Sequence, residues 1–324
     1  MILNIFILLG GIAVFLTGLK LVSDNFTLLI GEKISEKLKK LSSSSVGCAL
    51  LGAGATALTQ SSVAVNMIAV SFAEKGIMSL KGACAAVVGT NVGTTITAQL
   101  TSLSGGNGFV VPIGYLIAFF GVILREINND KLLPYGNAVA GLGFIFIGIN
   151  VMTVSMQSFY SEERFLNFFL IKSPPILLLN GFFITSVCQS SSVVTSMLVI
   201  LSGGKIITVE RAIYMILGAN VGSCTAVIFA SKEKNACARK VAYFNLVFNL
   251  LGAVILFIPM IFAGDIVSAF LVKISGGEGK AVADFHTLFN LIFGILSLPV
   301  MEKLTKITDF LVRERNISVK KRRA

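Results

Sequence analysis

The chain has 324 residues, of which 55% are hydrophobic and 13% are charged, and its formal net charge is +11. Soluble domains contain about a quarter charged residues, so this composition argues against a soluble globular protein and favours one that spans a membrane. The basic residues lie between apolar stretches and at the C-terminus, as the positive-inside rule predicts. The lipid bilayer, and not nucleic acid, is therefore the expected partner of the positive charge.

Seven apolar stretches are predicted as membrane helices, and the first lies at the N-terminus. This first stretch has no basic n-region and no small-residue cleavage site, so it is interpreted as a membrane helix and not as a removable signal. The predicted spans are 2–22, 82–100, 109–124, 134–157, 212–230, 241–263 and 281–299.

Two further apolar stretches, 44–73 and 174–201, each contain a polar Gln-Ser-Ser cluster at the centre. About 13–15 residues lie on either side of the cluster, which gives roughly 20 Å of helix. The hydrocarbon core of a bilayer is about 30 Å thick, so neither arm can cross it alone. Each stretch is therefore predicted to be a re-entrant helical hairpin with its tip near the midplane. One long kinked helix is the alternative.

The distribution of basic residues predicts the orientation. With both hairpins re-entrant and the N-terminus outside, the inner segments contain 20 Lys and Arg and the outer segments contain 6. Full crossings would give 18 and 8, so this rule separates the two arrangements only weakly. In both cases the C-terminus is cytoplasmic, in a multi-pass protein of the cytoplasmic membrane.

An internal repeat divides the chain. The Gln-Ser-Ser cluster at 60–62 recurs 129 residues later at 189–191, and Gly-Thr-Asn-Val-Gly at 89–93 recurs at the same offset as Gly-Ala-Asn-Val-Gly. Residues 56–95 and 185–224 align without a gap and share 12 identities in 40. Each half then contains three crossings and a hairpin, and because three is odd the second half enters the membrane inverted, as in secondary transporters.

The predicted fold class is an all-α polytopic membrane protein with two inverted-topology repeats. Each repeat has three transmembrane helices and a re-entrant hairpin, and one additional C-terminal transmembrane helix follows. The predicted boundaries are a first repeat at 1–130, a second repeat at 131–265, the final membrane helix at 266–300, and a basic cytoplasmic tail at 301–324.

The Gln-Ser-Ser clusters have the chemistry of an anion site. The second arm of each hairpin begins at the cluster, so its first backbone N–H groups have no helical partner and point towards the tip. Serine is a good N-cap, and the positive end of the helix dipole attracts anions such as phosphate. The predicted spans contain no Arg, and Lys20 is their only Lys. Bound cations are therefore expected to balance the remaining negative charge of the anion. Neutral oxygen atoms of Gln, Asn, Ser and Thr are ligands that Na⁺ accepts.

Other candidates are weaker. His286 and Asp284 begin a span and could relay protons, but packing or capping is the favoured interpretation. Lys20 and Asp24 near the end of the first helix are interpreted as residues that extend to the membrane interface. The five cysteines are scattered and are interpreted as small apolar fillers.

Two paired motifs resemble those of the type II sodium–phosphate cotransporters and their bacterial relatives. They are TQSS at 59–62 with CQSSS at 188–192, and GTNVGTT with GANVGSCT; GLKLVSDNF near the N-terminus and FHTLFN at 285–290 also match. This resemblance covers essentially the whole chain and implies sodium-driven uptake of inorganic phosphate. Val63 stands where the second motif has Ser192, and Cys224 stands where the first repeat has Thr95, so the sodium count is left open. Many relatives have a PhoU-like domain, which this sequence lacks.

The residues predicted to bind phosphate are Gln60, Ser61, Ser62, Gln189, Ser190, Ser191 and Ser192. Those predicted to bind sodium, the co-transported ion, are Thr59, Gln60, Asn91, Thr94, Thr95, Gln189, Asn220, Ser223 and Thr225. No organic cofactor is expected. A homodimer and a separate PhoU-like regulator are partners that the sequence leaves open.

Three alternatives to this function remain. A transporter of another oxyanion would use the same scaffold, and a passive anion channel would not work uphill. An intramembrane enzyme would need a nucleophile–base pair or a metal cluster, and neither pattern is found in the sequence. A transporter, and not an enzyme, is therefore predicted.

Overall fold

The computed structural model describes residues 2–30, 44–106, 110–127, 129–157, 171 and 173–312. Within these ranges the chain is helical and has no strand, so the prediction of an all-α protein is confirmed. The helices are α1 (Ile2–Ile30), α2 (Ser45–Thr59), α3 (Ser62–Glu74), α4 (Leu80–Gly106), α5 (Val110–Glu126), α6 (Leu133–Gln157), α7 (Pro174–Cys188), α8 (Ser191–Gly203), α9 (Val209–Gly222), α10 (Cys224–Ser231), α11 (Ala236–Ser275), α12 (Glu278–Ser297) and α13 (Met301–Leu311).

Within the described residues, three segments are long and apolar enough to cross a membrane: Leu133–Ser155, Val209–Ser231 and Ala236–Ser275. Helices α12 and α13 add a fourth if this pair, bent by 92°, is counted as one span. The other predicted spans correspond to α1, α4 and α5, which are helical at all predicted positions that the structure describes.

Both polar-centred stretches are interrupted helices, as predicted. The first consists of α2 and α3, with 15 and 13 residues, and the second consists of α7 and α8, with the same two lengths. At 1.5 Å per residue each arm is about 20 Å long, which is shorter than the hydrocarbon core of a bilayer.

The two arms of the first stretch lie side by side along α4. A Cβ placed at Gly89 would lie 2.8 Å from the backbone nitrogen of Ala53, seven residues before Gln60. The next residue, Thr90, donates a hydrogen bond of 2.8 Å to Oδ1 of Asn66, six residues after Gln60. Positions on either side of the break thus lie at the same level of α4, so the chain reverses direction there.

The two interrupted stretches contact different parts of α4. A Cβ at Gly82, near the beginning of α4, would lie 3.2 Å from Sγ of Cys48, at the base of the first stretch. In the C-terminal part of α4, the hydroxyl groups of Thr101 and Ser196 of α8 lie 2.8 Å apart. Helix α4 therefore joins the two halves of the molecule.

Glycine at equivalent positions of the two halves allows helices to pack closely. A Cβ at Gly52 of α2 would overlap the carbonyl oxygen of Ala86 in α4, and a Cβ at Gly181 of α7 would overlap that of Met215 in α9. Overlap of the same kind would occur at Gly89 and at Gly218. The glycines of the Gly-x-Asn-Val-Gly motif thus serve close packing, and α4 stays helical through its copy, whereas the second copy ends α9.

Two glycines two residues apart provide a matched pair for testing this packing. Gly52→Ala is expected to lower the unfolding temperature in detergent, because overpacking against rigid backbone costs about 1–3 kcal/mol or more. Gly54→Ala should leave it unchanged or slightly raised, because a Cβ at Gly54 meets nothing within 4 Å and alanine favours a helix. Equal unfolding temperatures for the two variants would contradict this account of the α2–α4 contact.

Helices α1, α5 and α6 form a second packed group. Helix α6 packs against both α1 and α5, and a Cβ at Gly148 would lie 2.7 Å from Cα of Phe15. On the other face of α5, Phe119 and Phe120 are largely exposed, as are Phe262 and Ile266 of α11. These exposed apolar faces are suited to contact with lipid.

The C-terminal boundaries differ from those of the sequence analysis. Helix α11 continues without interruption to Ser275, so residue 265, the predicted end of the second repeat, lies inside a helix, and the next helix begins at Glu278. The predicted tail begins as α13, which ion pairs of 2.8 Å connect to the rest of the fold, Lys81–Glu302 and Lys240–Asp309. Residues 313–324 of that tail lie outside the described residues.

Candidate functional site

The first break is a sharp turn made by Gln60 and Ser61. Gln60 has φ 54° and ψ 22°, in the left-handed region, and its N–H donates a hydrogen bond of 2.7 Å to the carbonyl of Thr56. Ser61 is the N-cap of α3, where its Oγ accepts a hydrogen bond of 3.3 Å from the N–H of Ala64. Local capping chemistry therefore ends one helix and begins the next within two residues.

The second break has the same geometry. Gln189 has φ 53° and ψ 22°, and its N–H donates a hydrogen bond of 2.7 Å to the carbonyl of Thr185. Ser190 caps α8 by accepting a hydrogen bond of 3.4 Å from the N–H of Val193. A left-handed conformation costs a residue with a side chain about 1–2 kcal/mol. Such strain, present at equivalent positions of both halves, is typical of functional sites.

Both breaks meet in one cavity of about 290 Å³. A water molecule has a share of about 30 Å³ in the liquid, so the cavity can hold a small tetrahedral oxyanion together with ions or water. All seven residues predicted to bind phosphate line it. The described residues that line it are Leu16, Leu19, Lys20, Thr59, Gln60, Ser61, Ser62, Val63, Gln189, Ser190, Ser191 and Ser192.

The electrostatics of this cavity favour an anion. The N-termini of α3 and α8 open onto it, and each brings unpaired backbone N–H groups and the positive end of a helix dipole. Serine hydroxyl groups and the glutamine amides add neutral donors, Lys20 adds a positive charge, and the lining contains no carboxylate.

Thr97 supports the first tip from α4. Its hydroxyl donates a short hydrogen bond to Oε1 of Gln60, while Nε2 of Gln60 donates one of 2.6 Å to the carbonyl of Ala57. These contacts hold the Gln60 side chain in one orientation. The sequence analysis missed Thr97, because the equivalent position in the second half is Ala226.

The residues predicted to bind sodium fall into two groups. Thr59, Gln60 and Gln189 line the cavity between the tips, whereas the six residues of the Gly-x-Asn-Val-Gly regions do not. Thr225 instead lines a second cavity of about 600 Å³, which Gln189 also borders.

In the Gly-x-Asn-Val-Gly regions, the predicted sodium ligands that have hydroxyl groups donate hydrogen bonds to nearby backbone carbonyl groups. Thr94 and Thr95 donate hydrogen bonds of 2.8 Å to carbonyl groups of α4, and Ser223 and Thr225 donate similar bonds to Asn220 and Gly222. The hydroxyl protons are already used in these hydrogen bonds, so only the oxygen lone pairs remain free to bind a cation.

A cluster of buried asparagines joins this region to α11. Nδ2 of Asn91 lies 3.5 Å from Oδ1 of Asn245, and Nδ2 of Asn249 donates to that oxygen at 2.9 Å. Oδ1 of Asn249 and Nδ2 of Asn220 and Asn245 are buried without a hydrogen-bond partner in the described chain. An unpaired buried amide is costly. Of these three atoms only Oδ1 of Asn249 is an oxygen that could bind Na⁺, whereas the two Nδ2 groups are hydrogen-bond donors. The sequence analysis missed Asn245 and Asn249, although two asparagines one helical turn apart in an apolar span were a usable signal.

Comparison with known proteins identifies the family. The model of the Na⁺/Pi-cotransporter family matches residues 14–154 and again residues 157–297. The chain belongs to the Na⁺/Pi-cotransporter family. This is a family of transporters, and with several apolar helices the chain is a multi-pass membrane protein.

Its curated relatives are distant in sequence. YqeW of Bacillus subtilis, an uncharacterized protein, is 26% identical over 92% of this chain and 95% of its own length. The "Putative inorganic phosphate export protein YjbB" of Escherichia coli K12 is 25% identical over 95% of this chain, which spans 55% of YjbB. The sodium-dependent phosphate transport protein 2A of Ovis aries is 38% identical over 25% of this chain and 13% of its own length. No solved structure matches the chain.

The family model divides the chain differently from the sequence analysis. Its first match ends at 154, inside α6, whereas the predicted first repeat ends at 130. Each division nevertheless places one interrupted stretch and one Gly-x-Asn-Val-Gly helix in each half, so the functional residues are assigned to the same halves.

His286 lies outside both cavities. It is buried in α12, where its carbonyl accepts a hydrogen bond of 2.8 Å from Asn290. Nδ1 of its ring has no hydrogen-bond partner in the described residues. Its position outside the linings of both cavities agrees with a packing role more than with one at the tips.

Proposed function

We propose that this protein is a secondary active transporter of the cytoplasmic membrane that takes up inorganic phosphate together with sodium by alternating access. The observation on which the proposal rests is the single cavity lined by both Gln-Ser-Ser tips. One substrate placed there contacts both halves, so each half can open the cavity to one side of the membrane while the other half closes it.

An inverted arrangement of the halves underlies this mechanism. Three contacts in order along α4 support it. Gly82 lies near Cys48 at the base of the first hairpin, and Thr97 donates a hydrogen bond to Gln60 at its tip. Further along α4, Thr101 contacts Ser196, which lies beyond the second tip. From the tips, the base of the first hairpin thus lies towards the start of α4, and the second arm of the other hairpin lies towards the end of α4. Two hairpins entering from opposite sides would produce this order.

Phosphate would be held by groups of both tips. The backbone N–H groups at the start of α3 and α8 would donate to its oxygen atoms, together with Ser61, Ser62, Ser190, Ser191 and Ser192. The amides of Gln60 and Gln189 would bind phosphate on one side and sodium on the other. The first tip has Val63 where the second has Ser192, so the first tip would offer one hydrogen-bond donor fewer to phosphate.

Sodium would bind beside the tips and behind them. Thr59, Gln60 and Gln189 offer oxygen atoms at the cavity, and the region behind the tips contains the remaining predicted ligands, Asn91, Thr94, Thr95, Asn220, Ser223 and Thr225. The asparagine cluster adds Asn249 and Asn245 to this second set, because Oδ1 of Asn249 is buried without a hydrogen-bond partner in the described residues and Oδ1 of Asn245 lies in the same cluster.

Transport by purified protein in liposomes tests the substrate and the carrier mechanism. Labelled phosphate should accumulate above its outside concentration when sodium is higher outside, and accumulation should stop when the gradient is abolished. Competition by arsenate but not by sulfate would support phosphate as the substrate. Flux that only equalises the two concentrations would indicate a channel, and stronger competition by sulfate would indicate another oxyanion.

The direction of transport is a separate question, because a relative has a name that refers to phosphate export. A sodium-coupled carrier follows the gradient of its driving ion, so uptake is expected with sodium outside. Reversing the sodium gradient in the same liposomes should drive export. Export driven by inward sodium would contradict symport.

Labelling of single cysteines tests the opposite entry of the hairpins. In a background with Cys188→Ser, because Cys188 is an exposed thiol, Ser44→Cys and Pro174→Cys place a thiol at the beginning of each hairpin. An impermeant maleimide is expected to label position 44 from inside and position 174 from outside in intact cells and inverted vesicles. Labelling of both from the same face would contradict inverted repeats.

A further inference from the structure

Lys20 lies at the cavity between the two tips. It lines the cavity together with Leu16 and Leu19, on one face of α1. Lys20 lies two residues before the end of the apolar segment Phe6–Val22, and α1 continues beyond it to Ile30. The sequence interpretation placed it near a helix end, since the apolar pattern weakens after Val22 while the helix itself continues.

No described residue neutralises Lys20. Asp24, its partner in the sequence interpretation, makes no ion pair with it, and the four ion pairs of the described chain involve other lysines.

Lys20 is the single charged side chain among the twelve residues of the lining. Bringing an anion from water into a site of low dielectric costs many kcal/mol without compensation. Helix dipoles supply only about half a charge each. The ammonium group is thus the strongest fixed positive potential available to an anion at the tips.

We propose that the Lys20 ammonium group binds the substrate oxyanion directly and is the permanent counter-charge of the site. This inference rests on the proposed transport of phosphate and extends the substrate site from the two tips to a third element, α1. A fixed ammonium offsets one charge of a phosphate dianion, so fewer sodium ions are needed to neutralise the loaded site.

Binding of inorganic phosphate to the purified full chain tests the proposal without requiring transport. Lys20→Met and Lys20→Gln are expected to weaken phosphate binding about ten- to hundred-fold, because each removes a hydrogen bond to a charged group. Lys20→Arg should keep most of the affinity, because the charge stays in place. Lys273→Met is the matched control, since it removes one exposed lysine from α11 away from the cavity, and it should bind normally.

The pH dependence separates a charge contact from a structural role. A fixed positive charge favours the phosphate dianion over the monoanion, so the difference between wild type and the neutral variants should narrow at more acid pH. A packing defect would weaken both forms equally, which would overturn the proposal.

The outcomes distinguish this inference from the proposed function. The role of Lys20 would be overturned if Lys20→Met and Lys20→Gln bound phosphate like wild type. It would also be overturned if Lys20→Arg bound phosphate as weakly as the neutral variants. Either result would leave the proposed phosphate transport in place. A folded wild-type protein that neither binds nor transports phosphate would overturn both.

Discussion

Gln60→Ala and Gln189→Ala are each expected to reduce phosphate transport about ten- to hundred-fold, because a hydrogen bond to a charged ligand contributes about 1.5–3 kcal/mol. Both residues line one cavity, so the double variant should be little worse than either single variant. Groups that act as one unit are non-additive in this way. The measurement is initial uptake of labelled phosphate into liposomes under a fixed sodium gradient.

The left-handed backbone at both glutamines requires a control, because any residue with a side chain, alanine included, is strained there, whereas glycine is not. Gln60→Gly and Gln189→Gly remove the amide without that strain, so they should lose transport like the alanine variants while unfolding near the wild-type temperature. Ser61→Thr and Ser190→Thr should be milder than alanine at these positions if the hydroxyl group matters. A folded Gln189→Ala protein with normal sodium-driven uptake would show that the second tip is structural only.

Replacement of sodium by choline is expected to abolish concentrative uptake, while a protonophore should have little effect. The predicted ion ligands are neutral oxygen atoms of Gln, Asn, Ser and Thr, which suit Na⁺, and the lining of the central cavity contains no carboxylate that could exchange a proton. Uptake is measured in liposomes of equal internal and external pH, with sodium, potassium or choline outside.

The asparagine cluster provides a variant for the same experiment. Asn245→Leu should raise the sodium concentration needed for half-maximal uptake about ten-fold or more, because a buried amide that binds the ion is lost. Transport at saturating sodium should be affected less. Uptake that persists undiminished in choline and collapses with the protonophore would overturn sodium coupling.

The sequence by itself determined the interrupted helices and most of the residues that line the cavity between them. Caps and helix breaks depend on residues within about four positions of each other, so Gln60-Ser61 and Gln189-Ser190 could be identified locally. The duplication made the assignment stronger, because the same turn is built twice at equivalent positions. Helix length and the apolar pattern also sufficed for the all-α class and for the positions of most helices.

Only the tertiary structure decided which distant residues share a site. Lys20 reaches the tips, some 40 and 170 residues away in the chain, because α1 packs beside α2; its local pattern indicated an interface instead. Asn245 likewise gains its role from the crossing of α11 over α4, which brings it to Asn91. Such long-range contacts depend on how helices pack and not on local propensity, so composition and spacing could not predict them.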